Sequence, residues 1–123
     1  MSYAVIIAGT RTMDATDAEI EELVEELPHF PDIVFSGACP RGIDQCGERW
    51  AKNRSVPLKR FPALWNNGIQ GSWDRNAGNN RNQQMADEAD ALILIWNGKS
   101  KGSANMKKHA ASKNLLIIEK VKL

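Results

Sequence analysis

Ala4-Val-Ile-Ile-Ala8, closed at once by Gly9-Thr-Arg11, is the stretch on which the fold turns. A short β-branched apolar run that ends on a glycine, a hydroxyl and a cation reads as a buried strand entering a tight loop. Working outward, Thr16-Asp-Ala-Glu19 forms a capping box, in which the threonine bonds the amide three residues on and the glutamate reaches back. Ile20, Leu23, Val24 and Leu27 then recur at helical spacing until Pro28 stops the helix. Asp32–Ser36 is a second short strand that ends at Gly37. Gly42 opens a second helical stretch with Ile43, Cys46, Trp50 and Ala51 on one face. Val56–Phe61 reads as a third strand, placed at an edge by Pro57 and its charges.

Residues Pro62–Gly78 are rich in Asn, Gly and Trp without a clear period, an irregular connection long enough to suggest function. Arg81–Ala89 reads as a third helix with Met85 and Ala89 inward, and Ala91–Trp96 as the most apolar and hence central strand. Asn97–Gly102 is then a loop, Ser103–Ser112 a fourth helix and Leu115–Glu119 a final strand. Strands alternating with helices at this spacing imply an α/β architecture with a parallel sheet covered on both faces. The expectation is a single Rossmann-like three-layer domain over residues 1–123, with a five-stranded sheet in the order 3-2-1-4-5. Its switch point lies between strands one and four, so ligands are expected beyond the carboxyl ends of those strands.

Composition narrows the function classes. At 123 residues the chain has room for one core, and its hydrophobic share of 42% and charged share of 25% are those of a soluble globular protein. Sixteen Lys+Arg against fifteen Asp+Glu leave a net charge of +1, which points to neither DNA nor an anionic membrane. Its apolar runs fall far short of the roughly 18–20 residues that span a bilayer. Met1-Ser-Tyr leads straight into the first strand with no readable signal peptide, so a cytosolic location is expected. Cys39 and Cys46 match no zinc or redox spacing, and His29 and His109 stand apart from them, so neither a metal nor a cofactor is expected.

Three loops carry the chemistry: Gly9-Thr10-Arg11, Ser36-Gly37-Ala-Cys-Pro-Arg41-Gly42-Ile-Asp44 and Gly98-Lys99-Ser100-Lys101-Gly102-Ser103. Glycines let backbone N–H groups approach an anion, helices opening at Gly42 and Ser103 aim their positive ends at it, and the cations add charge. Their convergence at one sheet edge points to a phosphorylated ligand. Gly37 and Gly42 have the glycine spacing of a phosphate-binding P-loop, but Ile43-Asp44 stand where Lys-Ser/Thr should follow. Gly98-Lys99-Ser100 has the other half, but Ile93 stands in place of its first glycine. With no G-x-G-x-x-G either, P-loop ATP hydrolysis and NAD-type hydride transfer both fall. Asp44 is suited to accept a ribose hydroxyl, to act as a general base, or to cap the second helix. Arg81 and Asn82, at the start of the helix that feeds strand four, come within reach of the switch point. Trp65 and Trp73 are candidates to stack on a base, pack on a partner subunit or cover the sheet edge. The lysines at 107, 108, 113, 120 and 122 read as a solvated face.

Seven ordered motifs bring a resemblance into view. Val5-Ile-Ile-Ala-Gly-Thr-Arg11, Ser36-Gly-Ala-x-x-x-Gly-x-Asp44, Arg49-Trp50-Ala51, Phe61-Pro-Ala-x-Trp65, Arg81-Asn82-x-x-Met85, Ala89-Asp90-Ala91 and Trp96-Asn-Gly-Lys-Ser-Lys-Gly102 resemble the YspA/YpsA-related branch of the SLOG superfamily. The resemblance implies a Rossmann-like sheet and a nucleotide-derived ligand. It is also distantly similar to the LOG-type phosphoribohydrolases, which cleave the N-glycosidic bond of nucleoside monophosphates. Carried over by position, Gly102-Ser103 match their Gly-Thr and Arg81 their arginine, whereas Met106 stands where their catalytic glutamate should be.

The leading expectation is therefore binding of a nucleotide or nucleotide-derived phosphate ligand. Gly9, Thr10 and Arg11 form one wall, Gly37, Arg41, Gly42 and Asp44 a second, and Gly98, Lys99, Ser100, Lys101, Gly102 and Ser103 a third, with Arg81 and Asn82 at the side. A nucleotide N-glycosidase using Asp44 and Arg81 as catalytic residues is the first alternative, and a protein-interaction module the second. Near-neutral charge and few aromatics argue against nucleic acid. The tryptophan-bearing loop and the edge strand make a homodimer plausible.

Overall fold

The structure is a computed structural model that describes residues 2–64 and 76–123. In chain order its elements are β1 (Ala4–Gly9), α1 (Asp17–Val24), β2 (Ile33–Ser36), α2 (Ile43–Asn53), β3 (Leu58–Arg60), α3 (Ala77–Glu88), β4 (Ala91–Trp96), α4 (Lys101–Ser112) and β5 (Leu116–Val121). The five strands form one sheet in the order β3-β2-β1-β4-β5, and every pairing is parallel. This is the Rossmann-like α/β arrangement the sequence predicts.

The strand period of two sorts the core. Val5, Ile7, Ile93 and Ile95 point to one face, where Ile20, Leu23 and Val24 of α1 and Ile43, Cys46 and Trp50 of α2 cover them. Ile6, Ala8, Leu92, Leu94 and Trp96 point to the other, against Met85 and Ala86 of α3 and Met106 and Ala110 of α4. The first pair of helices thus lies on one face and the second pair on the opposite face. The chain changes sides between β1 and β4, and the crevice at that point faces the loops of both strands. All six residues of β4 are buried, as expected of the central strand, and all three of β3 are exposed, as expected of an edge.

Helix ends differ from expectation for identifiable reasons. Thr16 caps α1 through the anticipated capping box, but the helix stops at Val24, and Leu27 is buried from a turn that follows it. Helix α3 begins at Ala77, four residues before the expected start, so Arg81 lies in its second turn. The Asn-rich segment has little intrinsic helix preference and no apolar period, and only tertiary packing makes it helical. Helix α4 begins at Lys101 because Ser100 is its N-cap, its hydroxyl accepting from the Ser103 amide at 3.4 Å; Gly102 sits inside the first turn rather than before it. Strand β5 runs two residues further than expected, to Val121. Trp65 and Trp73 lie outside the described residues.

The lysine-rich end is an ion-paired face. Lys107 meets Glu119, Lys113 meets Asp87, and Lys120 and Lys122 both reach Glu19 at 3.2 and 2.9 Å. The hydrogen bond from Lys122, the Thr16 amide and the bond from Lys120 hold the Glu19 carboxyl at about 2, down from 4.5. A carboxyl whose pKa is depressed by folding adds stability that is complete above about pH 4.5 and is lost as pH falls through 2. Glu19→Gln is therefore expected to lower the urea midpoint at pH 7. Near pH 2 the two proteins should converge, which acid-range denaturation curves will read.

Candidate functional site

A cleft of about 740 Å³ opens at the carboxyl ends of β1 and β4. Its first wall is the loop after β1. Gly9 ends the strand in register with Ile95, and Thr10 turns inward rather than toward the cleft. The Thr10 amide donates to the Ile95 carbonyl at 3.2 Å and its hydroxyl accepts from the Asn97 amide at 3.3 Å, so Thr10 ties the first loop to the loop after β4. Arg11 is exposed and lines the cleft.

The second wall follows β2. Gly37 lies between the Asp44 carboxylate and the Arg81 guanidinium. A Cβ there would stand 2.8 Å from Asp44 Oδ2 and 2.6 Å from Arg81 Nη1, so a side chain at this position would displace one of the two groups. Ala38 follows with φ of 62°, a left-handed conformation uncommon for a residue with a Cβ. Gly42, the N-cap of α2, has φ of 77°, and a Cβ on it would meet the Arg11 backbone at 2.5 Å. It packs the first two loops together instead of facing the cleft. Arg41 is exposed beside it and does not line the cleft.

Asp44 does not cap α2: Gly42 holds that position with no side-chain bond. The Asp44 Oδ2 atom accepts instead from the Cys39 amide at 3.2 Å, and the residue is only 9% exposed. Burial raises its pKa above the usual carboxylate range, and the Cys39 hydrogen bond and Arg81 only partly oppose this.

Arg81 comes from α3. Its Nη1 donates to the Gly37 carbonyl and its Nε to Asn82 Oδ1 at 2.8 Å. Arginine only donates, so these bonds orient everything beyond them. Asn82 Nδ2 is left to donate to Asn105 Oδ1 at 2.9 Å, and Asn105 Nδ2 to Asn79 Oδ1 at 2.9 Å. Asn79 Oδ1 also meets His109 Nε2 at 2.8 Å, which assigns the proton to that nitrogen. A polar chain therefore runs from α4 across α3 to the guanidinium, holding it against the second wall.

The third wall is the start of α4. Ser100, Lys101, Gly102 and Ser103 line the cleft; Lys99 and Gly98, with φ of 78°, stand outside it. Ser103 is 4% exposed, and among the described residues its Oγ has no hydrogen-bond partner. Met106, one turn further on, is buried against the core and also lines the cleft. The position where the LOG-type enzymes have a glutamate therefore does reach the site, but as an apolar wall.

Of the residues the sequence nominated, ten face this space: Gly9, Arg11, Gly37, Asp44, Arg81, Asn82, Ser100, Lys101, Gly102 and Ser103. Thr10, Arg41, Gly42, Gly98 and Lys99 do not. Cys39, Asn79 and Asn105 line the cleft without having been singled out. Asn79 becomes visible once α3 is extended back to Ala77, because helix periodicity then sets Asn79 and Asn82 on one side; Asn105 is brought in from α4 by its hydrogen bonds to both. Among the described residues no group of three or more His, Cys, Asp or Glu could hold a metal ion, and no helix is long and apolar enough to cross a membrane.

The sequence model of the YspA, cpYpsA-related SLOG family matches residues 3–68. The chain belongs to this family. Comparison with curated proteins and with solved structures gives no match. The matched span covers β1 through β3 and the first two walls of the cleft; Arg81 and the α4 wall lie beyond it. Within this SLOG protein, Asp44 is a group whose burial disfavours its charge. A carboxyl with a raised folded pKa favours the folded state at low pH and opposes it once ionised. Asp44→Asn keeps an oxygen for the Cys39 amide and is expected to raise the denaturation midpoint at pH 7. Near pH 3, where the carboxyl is protonated in both states, the gain should disappear; equal midpoints at pH 7 would show that its charge is accommodated.

Proposed function

We propose that this SLOG protein binds a nucleotide or nucleotide-derived ligand through phosphate in the cleft at the carboxyl edge of its sheet. One observation carries the reading: the Ser103 hydroxyl, buried and unpartnered, stands in the first turn of α4 beside the cleft. Leaving such a group without a partner costs about 1–3 kcal/mol, and a phosphate oxygen would satisfy it. The open amides of the α4 N-terminus and the Arg81 guanidinium favour an anion at the same place. The volume suits a mononucleotide or something larger, since small-molecule sites span roughly 300–1,000 Å³.

A thermal-shift panel of AMP, GMP, ADP, ATP, ADP-ribose and NAD tests this. At 100 times its dissociation constant a ligand stabilises the fold by about 2.7 kcal/mol, a shift of several degrees. Ser103→Ala and Arg81→Ala are each expected to reduce that shift at equal ligand concentration while leaving the far-UV circular dichroism spectrum intact. Full shifts in both variants would move the site elsewhere, and silence across the panel would favour a protein partner.

A second reading, a nucleotide N-glycosidase, has one observation in its favour. Asp44 is a carboxyl that burial biases toward its protonated form at the cleft wall, as a group protonating a departing base requires. The bond broken would be the glycosidic C–N bond: Asp44 supplies a proton to the departing base, water adds its oxygen to the sugar C1′, and the proton that water loses returns to the Asp44 carboxylate. Free base released from a nucleoside monophosphate by the wild-type protein, and at least a hundredfold less by Asp44→Asn, is the expected signature. Absence of release in the wild type leaves binding alone.

A further inference from the structure

The cations of this protein are divided by location. Arg49, Arg54, Lys59, Arg60, Lys107, Lys113, Lys120 and Lys122 each lie within 4 Å of a carboxylate, so the helix faces and outer strands are neutralised locally. At the described positions, Arg11, Arg41, Lys52, Arg81, Lys99, Lys101 and Lys108 have no such partner. Five of these seven, all but Lys52 and Lys108, stand around the cleft or on the loops that frame it. Among the described residues, Asp44 is the one carboxylate in the cleft wall. The cations without a carboxylate within 4 Å among those residues thus gather mainly at one edge of the sheet.

The charges also lie at two depths. Ser103 and Arg81 are inside, the first 4% exposed and the second half-buried. Arg11 and Lys101 are exposed and line the cleft, the first on the loop after β1 and the second at the start of α4 after β4. The Thr10–Asn97 hydrogen bond and the Gly42–Arg11 packing hold the loops that carry them. One phosphate would engage the inner pair and leave the outer cations, neither of which has a carboxylate within 4 Å among the described residues, without a counter-charge. Like charges held together oppose folding unless a ligand screens them.

We infer that the cleft is a two-phosphate site, taking a nucleoside-diphosphate-type ligand whose inner phosphate meets Ser103 and Arg81 and whose outer phosphate meets Arg11 and Lys101. This rests on the phosphate reading of the cleft and adds the ligand's charge and the division of labour between the two depths.

Calorimetric titration with inorganic phosphate and with pyrophosphate isolates the claim from any base preference. In the wild type, pyrophosphate is expected to bind about tenfold more tightly than phosphate, the increment of one further charge-assisted contact. In R11Q/K101Q that ratio is expected to fall below about threefold, whereas S103A weakens both anions and keeps the ratio. The double variant should melt no lower than the wild type without ligand, since it loses repulsion and no ion pair. A wild-type ratio below threefold, or the same ratio in R11Q/K101Q, overturns the second subsite while phosphate binding upholds the first. Failure of both anions to bind overturns the two together. A 5′-phosphorylated oligothymidylate that displaces pyrophosphate more effectively than ADP does would overturn the diphosphate assignment in favour of a polynucleotide.

Discussion

The pairing of β1 with β4 sustains everything else in this molecule. These strands are distant in sequence and register from Val5–Ala91 to Gly9–Ile95 with both faces covered. Their contact closes the sheet across the switch point, and it splays the following loops apart because helices of opposite faces must leave from neighbouring strand ends. The cleft is that gap. Thr10 extends the pairing one residue past the strands, through its amide to Ile95 and its hydroxyl to Asn97, and so sets the width of the opening. A hydroxyl that sequence reasoning assigns to a ligand is thus spent on the frame.

The site combines a stable frame with locally unfavourable features. Asp44 is buried with its pKa raised, Arg81 is partly desolvated, Ala38 adopts a left-handed backbone, and the Ser103 hydroxyl is unpartnered. Each opposes stability, and all four lie at the same edge of the sheet. The opposite is true of the outer faces, where carboxylates neutralise the lysines and the capping box closes α1. Unfavourable groups concentrated where a ligand can compensate them are what a binding or catalytic site requires, because the complementary partner arrives from outside.

The residues nominated from sequence reach the cleft where the signal is local. Glycine-hydroxyl-cation loops after apolar runs are visible in one dimension, and ten of the nominated residues do face the cleft. Nominated residues miss it where role depends on direction. Thr10 and Gly42 have the right chemistry and stand on the right loops, yet both turn to neighbouring backbone. Asn79 went unnoticed because an asparagine in a segment without apolar period resembles a loop residue, and Asn105 because a polar residue on a helix resembles a solvated one. The chain of amides that joins them to Arg81 exists only after α3 and α4 pack side by side.

Apolar runs of five or six residues, alternating with helical spacing, were enough to specify a parallel sheet, its strand order and the edge at which the cleft opens. Those features depend on backbone periodicity and on the handedness of crossovers, and both are written in the order of residues. Which carboxylate would be buried, which guanidinium would lean on Gly37, and which cations would lack a partner depended on contacts between segments far apart in the chain. Burial and charge pairing are properties of the space around a group, and that space is formed only when the two helical layers close over the sheet.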